Sequence, residues 1–198
     1  MFAVRIHGRG GQGAVTAAEL LSVAAFDEGR HAQAFPTFGS ERTGAPVVSF
    51  CRIDDRPIRL REPISRPDAL IVQDPTLLHQ VDVFAGLDAD GYLLVNTSRG
   101  LDELGLSEVT DTLDVRRVAT VPATELAREH LGRPLPNAAL LGGFAALTGQ
   151  VSLRAVTDAI RGRFSGATGE GNVKAAEAAY EYVLRAVEHH GTGRTQDA

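Results

Sequence analysis

Four glycines crowd into "HGRGGQG", residues 7 to 13, and three of them, Gly8, Gly10 and Gly13, fit the spacing G-x-G-x-x-G. Without Cβ atoms such a loop turns tightly, and its backbone N–H groups and the end of a following helix can face an anion such as pyrophosphate. That chemistry suits a nucleotide-bearing ligand. The dinucleotide form of the pattern also needs an acidic residue about 20 positions on, after the second strand, to bind ribose hydroxyls. "GRHAQAF" offers none: Asp27 and Glu28 come too early, and Glu41 lies beyond a proline and another glycine. This counts against NAD. The same glycines could instead serve close packing of helix on strand.

"FPTFGSERTGAPVVSF", residues 35 to 50, is a polar, charged loop flanked by aromatics that runs into a strand. Loops of this kind carry function more often than packing. Arg42 could hold a phosphate or carboxylate with its planar donor fork, Glu41 could orient it or pair with another chain, and Gly44 would permit backbone contact. A solvated turn with an ion pair is the competing reading.

The other reactive side chains form no constellation. His7, His31, His79, His130, His189 and His190 are scattered without H-x-x-x-H or Cys/His spacing, so no metal site is expected, and no G-x-S-x-G elbow is present. Cys51 lies inside a strand pattern and reads as a small core residue. Asp74, in "VQDPTLL", ends a strand and precedes a proline, which suits a helix cap; its place at a strand's carboxyl end would also allow a ligand contact. No catalytic residue is assigned.

The elements that must position these residues follow from periodicity. "FAVRIH" reads as a strand, and Ala14, Ala17, Ala18, Leu21, Ala24 and Ala25 then recur at helical spacing up to Gly29. "HAQAF", "APVVSFCRID", "DALIVQD" and "GYLLVNT" read as further strands, and "VRRVATVPAT" as a late one leading into a helix at "ELAREHL". From Asn137 onward "NAALLGGFAALTG", "SLRAVTDAIRGRF" and "VKAAEAAYEYVLRAVEHH" predict three helices, with Tyr180, Val183, Leu184 and Val187 as an amphipathic stripe. Together these imply a three-layer α/β fold: a mostly parallel sheet with helices on both faces and a helical C-terminal third. Ligands of such sheets sit at the carboxyl ends of the strands, where the glycine loop lies.

The chain has 198 residues, 43% of them hydrophobic and 23% charged, which suits one domain over residues 1 to 190. Residues 191 to 198 lack apolar periodicity and read as a disordered tail. A net charge of −5 disfavours a nucleic-acid partner. One cysteine cannot supply the ligands of an iron–sulfur cluster. There is no basic leader before an apolar run and no stretch near the ~18 apolar residues of a membrane span, so a cytoplasmic protein without membrane contact is expected.

Taken together, "VRIHGRGGQGAVTAAELL", "AQAFPTFGSERTGAPVVSFCRID", "PDALIVQDPTLL" and "GYLLVNTS" resemble the gamma subunit of the pyruvate (2-oxoacid):ferredoxin oxidoreductase family. The resemblance keeps its order over roughly residues 4 to 98. "NAALLGGFAALTG" and "GEGNVKAAEAA" are later echoes. It implies a Rossmann-like subunit of a complex that oxidatively decarboxylates a 2-oxoacid to its acyl-CoA and passes electrons through iron–sulfur clusters to ferredoxin. Thiamine diphosphate with Mg and the clusters would sit on partner alpha, beta and delta subunits; this chain shows no G-D-G…N thiamine motif. The chain would be inactive alone.

The resemblance further implies a part in binding coenzyme A. The loop Arg9, Gly10, Gly11, Gln12 and Gly13 would approach its phosphates, Arg42 would meet the cofactor, and Asn137 and Asn172 would add polar contacts. On the residues alone, Asn137 after "RPLP" and Asn172 before Val173 equally suit helix caps. Pyruvate is the default substrate, although 2-oxoglutarate, branched-chain, aryl-glyoxylate and oxalate branches share much of the pattern. Two rivals stand beside this reading. One is a free-standing NAD(P)-dependent reductase, which would need a ribose selector and a catalytic Tyr/Lys set, whereas Lys174 is the only lysine. The other is a purely structural scaffold.

Overall fold

The computed structural model describes residues 1–37, 43–106 and 111–192. Six strands form one sheet: β1 (Phe2–Arg9), β2 (His31–Pro36), β3 (Pro46–Asp54), β4 (Ala69–Val72), β5 (Tyr92–Asn96) and β6 (Val118–Val121), in the order β2-β3-β1-β4-β5-β6. β1 pairs in parallel with β4, β4 with β5 and β5 with β6, while β3 runs antiparallel to both β1 and β2. Five of the six strands therefore point the same way. The unbroken apolar run Ala69–Val72 is buried on both faces, as a central parallel strand requires.

The helices among the described residues are α1 (Ala14–Asp27), α2 (Ala123–Leu131), α3 (Asn137–Thr148), α4 (Leu153–Arg163) and α5 (Gly166–Thr192). All five contribute to one core with Val4, Ile6, Cys51, Ile53, Ile71, Leu94 and Val121, and the six α1 positions picked out by spacing are all buried in it. Each large aliphatic side chain removed from water there contributes about 1.5–3 kcal/mol.

Among the described residues, the cover of the second face over β4, β5 and β6 differs from the expected helices. Leu70, Val72, Leu93, Val95 and Val118 pack instead under Leu77, Val83 and Leu113, which stand on 3-10 turns and loops. The connection after β4, "QDPTLLHQVDVFAGLDADG", holds a proline, two glycines and four aspartates, which break helical periodicity.

The last helix also differs: it begins at Gly166, not near Val173. Gly169 and Gly171, before Val173, are close-packing positions inside it. A Cβ on Gly171 would lie 2.7 Å from the carbonyl of His130 in α2. Among the described residues, no helix is long and apolar enough to cross a membrane.

Candidate functional site

The chain leaves the end of β1 through the glycine loop into α1 and goes to the β2 edge, whereas β4, β5 and β6 extend on the other side. The glycine loop thus occupies the topological switch point beside β4, where open α/β sheets bind ligands. Gly13 is the N-cap of α1, at φ 78°, and makes no side-chain cap. A side chain in the left-handed region is costly, so glycine suits the position. The first-turn N–H groups of Ala14, Val15 and Thr16 consequently face a cavity of about 250 Å³ lined by Arg9, Gly10, Gly11, Gly13, those three residues and Val47. A helix N-terminus with free N–H groups attracts an anion. The volume suits a phosphate-sized part of a ligand, with the rest lying over the open rim.

Asn137 faces this loop from α3. It is 6% exposed, and a Cβ on Gly13 would come within 2.7 Å of its Nδ2. Among the described residues its amide makes no hydrogen bond. It is not a cap, because Pro136 takes that position and Asn137 is the first helical residue. A nearly buried amide with unmet bonding capacity at the edge of a cavity is suited to meet a polar ligand atom.

Asn172 is no cap either. It lies inside α5 and its amide donates to the Thr168 carbonyl at 2.9 Å, as a residue does one turn into a helix. Arg42 and Glu41 lie outside the described residues.

Arg9 is arranged differently from a free anion ligand. Its Nε donates to Asp74 Oδ2 at 3.1 Å, Nη1 to the Gly44 carbonyl at 3.0 Å, and Nη2 to Thr76 Oγ1 at 2.7 Å and Gln80 Oε1 at 2.8 Å. Gln12 Nε2 joins the same Asp74 oxygen at 2.7 Å, and its Oε1 accepts from the Arg9 N–H at 2.9 Å. Asp74 also caps the following 3-10 turn by accepting from the Thr76 N–H. Burial would raise the Asp74 pKa, but the bonds from Thr76 and Gln12 and the Arg9 charge outweigh it and hold the carboxyl below its ordinary range. The cap was legible in "QDPT"; the pairing with Arg9, 65 residues away, left no signal in the sequence.

A polar chain carries the loop's support further along the strand ends. Gln73 donates from Nε2 to the Gln12 carbonyl at 2.7 Å, and Asn96 donates to the Gln73 carbonyl and to Thr124 Oγ1, both at 2.8 Å. Sequence reading passed over Gln73 and Asn96 because nothing local marks them.

Two titratable groups of β1 and β3, His7 and Cys51, are sealed. His7 is 5% exposed; its Nε2 accepts from Arg5 Nε at 3.0 Å. Burial first, and the Arg5 charge second, push its pKa down to about 4 against a smaller pull from Asp82, so it is neutral and out of reach of a substrate. Burial pushes the Cys51 thiol up to about 12. A larger cavity of about 610 Å³ lies away from the loop, and its lining includes Asp102, Asp111 and Asp114. Three aspartates make it a poor place for an anion. Among the described residues no group of three or more His, Cys, Asp or Glu could hold a metal ion.

The second strand is also displaced from where a dinucleotide site would need it. Antiparallel β3 stands between β1 and β2, which moves the end of β2 about 10 Å from the glycine loop.

Comparison with known proteins agrees with this geometry. The model of the pyruvate ferredoxin/flavodoxin oxidoreductase family matches residues 3–182. The pyruvate/ketoisovalerate oxidoreductases common subunit gamma of Thermococcus kodakarensis is 52% identical over 182 residues, covering 91% of this chain and 96% of that one. The pyruvate synthase subunit PorC of Methanocaldococcus jannaschii is 50% identical over 185 residues, covering 93% and 98%. The crystal structure of the pyruvate oxidoreductase subunit PORC of Thermotoga maritima superposes with a TM-score of 0.76 at 35% identity, covering 91% of this chain and 95% of that one. The chain belongs to the pyruvate ferredoxin/flavodoxin oxidoreductase family, as its gamma-type subunit.

Proposed function

We propose that this gamma subunit supplies part of the coenzyme A site of a thiamine diphosphate-dependent pyruvate:ferredoxin oxidoreductase and helps assemble that complex. Thiamine diphosphate, Mg and the iron–sulfur clusters belong in this reading to alpha, beta and delta partner subunits, ferredoxin is the acceptor, and the complex works in the cytoplasm. The observation that carries it is the uncapped start of α1 at Gly13, set against the unpartnered amide of Asn137. A phosphate of CoA would be held by the N–H groups of Ala14, Val15 and Thr16, with the Asn137 amide as a neutral polar contact. Gly10, Gly11 and Gly13 leave the backbone bare enough for that approach. CoA, once bound, supplies a thiol that takes the acyl group. This chain's residues bind and orient it; among the described residues no side chain near the loop is placed to move a proton.

The test is a reconstituted complex assayed for CoA-dependent oxidation of pyruvate and other 2-oxoacids, beside the isolated chain. Activity of the complex only, with the KM for CoA raised by Gly13→Val, supports the reading. Activity of the isolated chain, or binding of NADH in place of CoA, overturns it.

A further inference from the structure

We propose that Asp74 is the positioning residue of this anion site, with Arg9 a strut between three loops and not a ligand of the anion; this rests on the CoA reading above. Four donors converge on the Asp74 carboxylate: Arg9 Nε and Gln12 Nε2 on Oδ2, and the Thr76 N–H and hydroxyl on Oδ1. The Arg9 guanidinium in turn joins Asp74, Thr76 and Gln80 after β4 to the Gly44 carbonyl before β3. The loop's own backbone closes the same joint, because the Gly10 N–H donates to the Ala45 carbonyl at 2.9 Å and the Gly44 N–H to the Gly10 carbonyl at 3.0 Å. Four of the five guanidinium donors are thereby used within the chain.

Turning Arg9 onto a phosphate would break all four bonds. It would also strip the cation from a carboxylate whose side chain is only 13% exposed. The pull on the anion then comes from the start of α1, and Asp74 sets where that start points by holding Gln12, the residue before Gly13. Lysine cannot replace Arg9 in such a joint, because a single ammonium does not span four acceptors in one plane. An asparagine at position 74 keeps the shape but offers one acceptor oxygen where two are in use.

The experiment measures KM and kcat for CoA in the reconstituted complex, at two ionic strengths, for Asp74→Asn, Arg9→Gln, Arg9→Lys and the double variant Asp74→Asn/Arg9→Gln, with Gly13→Val as control. Each single variant is expected to raise KM for CoA about tenfold with a far smaller change in kcat. Arg9→Lys should be as poor as Arg9→Gln, the double variant no worse than either single one, and the salt dependence of KM unchanged. Thr76→Val, at an exposed position, gives a milder version should a variant fail to assemble, with KM up about threefold.

A normal KM in Arg9→Lys, multiplying losses in the double variant, or a flattened salt dependence in Arg9→Gln would overturn the proposal by making Arg9 a ligand. A normal KM in Asp74→Asn beside a raised one in Gly13→Val overturns it while the CoA reading stands; normal values in both overturn the two together.

Discussion

Gly13 and Asn137 touch across 124 positions of sequence: the backbone of the glycine lies so near the amide that an added Cβ would sit 2.7 Å from Nδ2. The contact couples the start of α1 to the start of α3, and it makes the two residues separable by measurement. Asn137→Leu removes a polar group that has no internal partner, so the unfolding free energy from urea titration should stay within about 1 kcal/mol of the parent while KM for CoA rises about fivefold. Equal losses of stability and affinity would mean that the amide is structural.

His7 predicts an acid limit. Its pKa in the fold is about 4 against 6.5 in the unfolded chain, because burial and Arg5 disfavour the cation. Above pH 6.5 the group is neutral in both states and contributes nothing. As pH falls from 6.5 to 4 the unfolded chain takes up the proton first, and stability drops by up to about 3 kcal/mol. Urea titrations at pH 7, 6, 5 and 4 should show this slope, and His7→Gln should flatten it; an unchanged slope assigns the acid limit to other groups.

Cys51 should be inert. It is fully buried and its thiol is pushed up to about 12, so thiolate is scarce at neutral pH. Alkylation by iodoacetamide is expected only in denaturant. Rapid labelling of the native chain would show that the strand pair β1–β3 opens locally.

Gly142 tests the packing of the helical layer. A Cβ there would stand 1.9 Å from the carbonyl of Ala176, backbone against backbone, which no rotamer change relieves. Gly142→Ala should cost about 3 kcal/mol, read as a lower unfolding midpoint. A cost below about 0.5 kcal/mol would show that α3 and α5 separate easily.

What could be read from the chain alone was whatever is encoded locally. The strand before the glycines, the six buried α1 positions, the apolar run of β4 and the Asp74 cap all depend on neighbours within a few residues, where spacing and propensity act directly. The glycine spacing also announced the bare turn into α1, because missing Cβ atoms have the same consequence wherever they occur. Tertiary structure decided the rest. It put β3 antiparallel between β1 and β2 and so removed the place of a ribose selector. It drew Arg9 onto Asp74, left Asn137 without a partner beside Gly13, and made Gly171 a contact point inside α5, ahead of the helix start expected at Val173. The β1–β3 pairing joins residues 37 or more positions apart, and the contacts of Arg9 with Asp74, Asn137 with Gly13 and Gly171 with His130 join residues 41 or more apart. Their pairing follows only from the packed shape of the sheet and its helices, which no window of sequence contains.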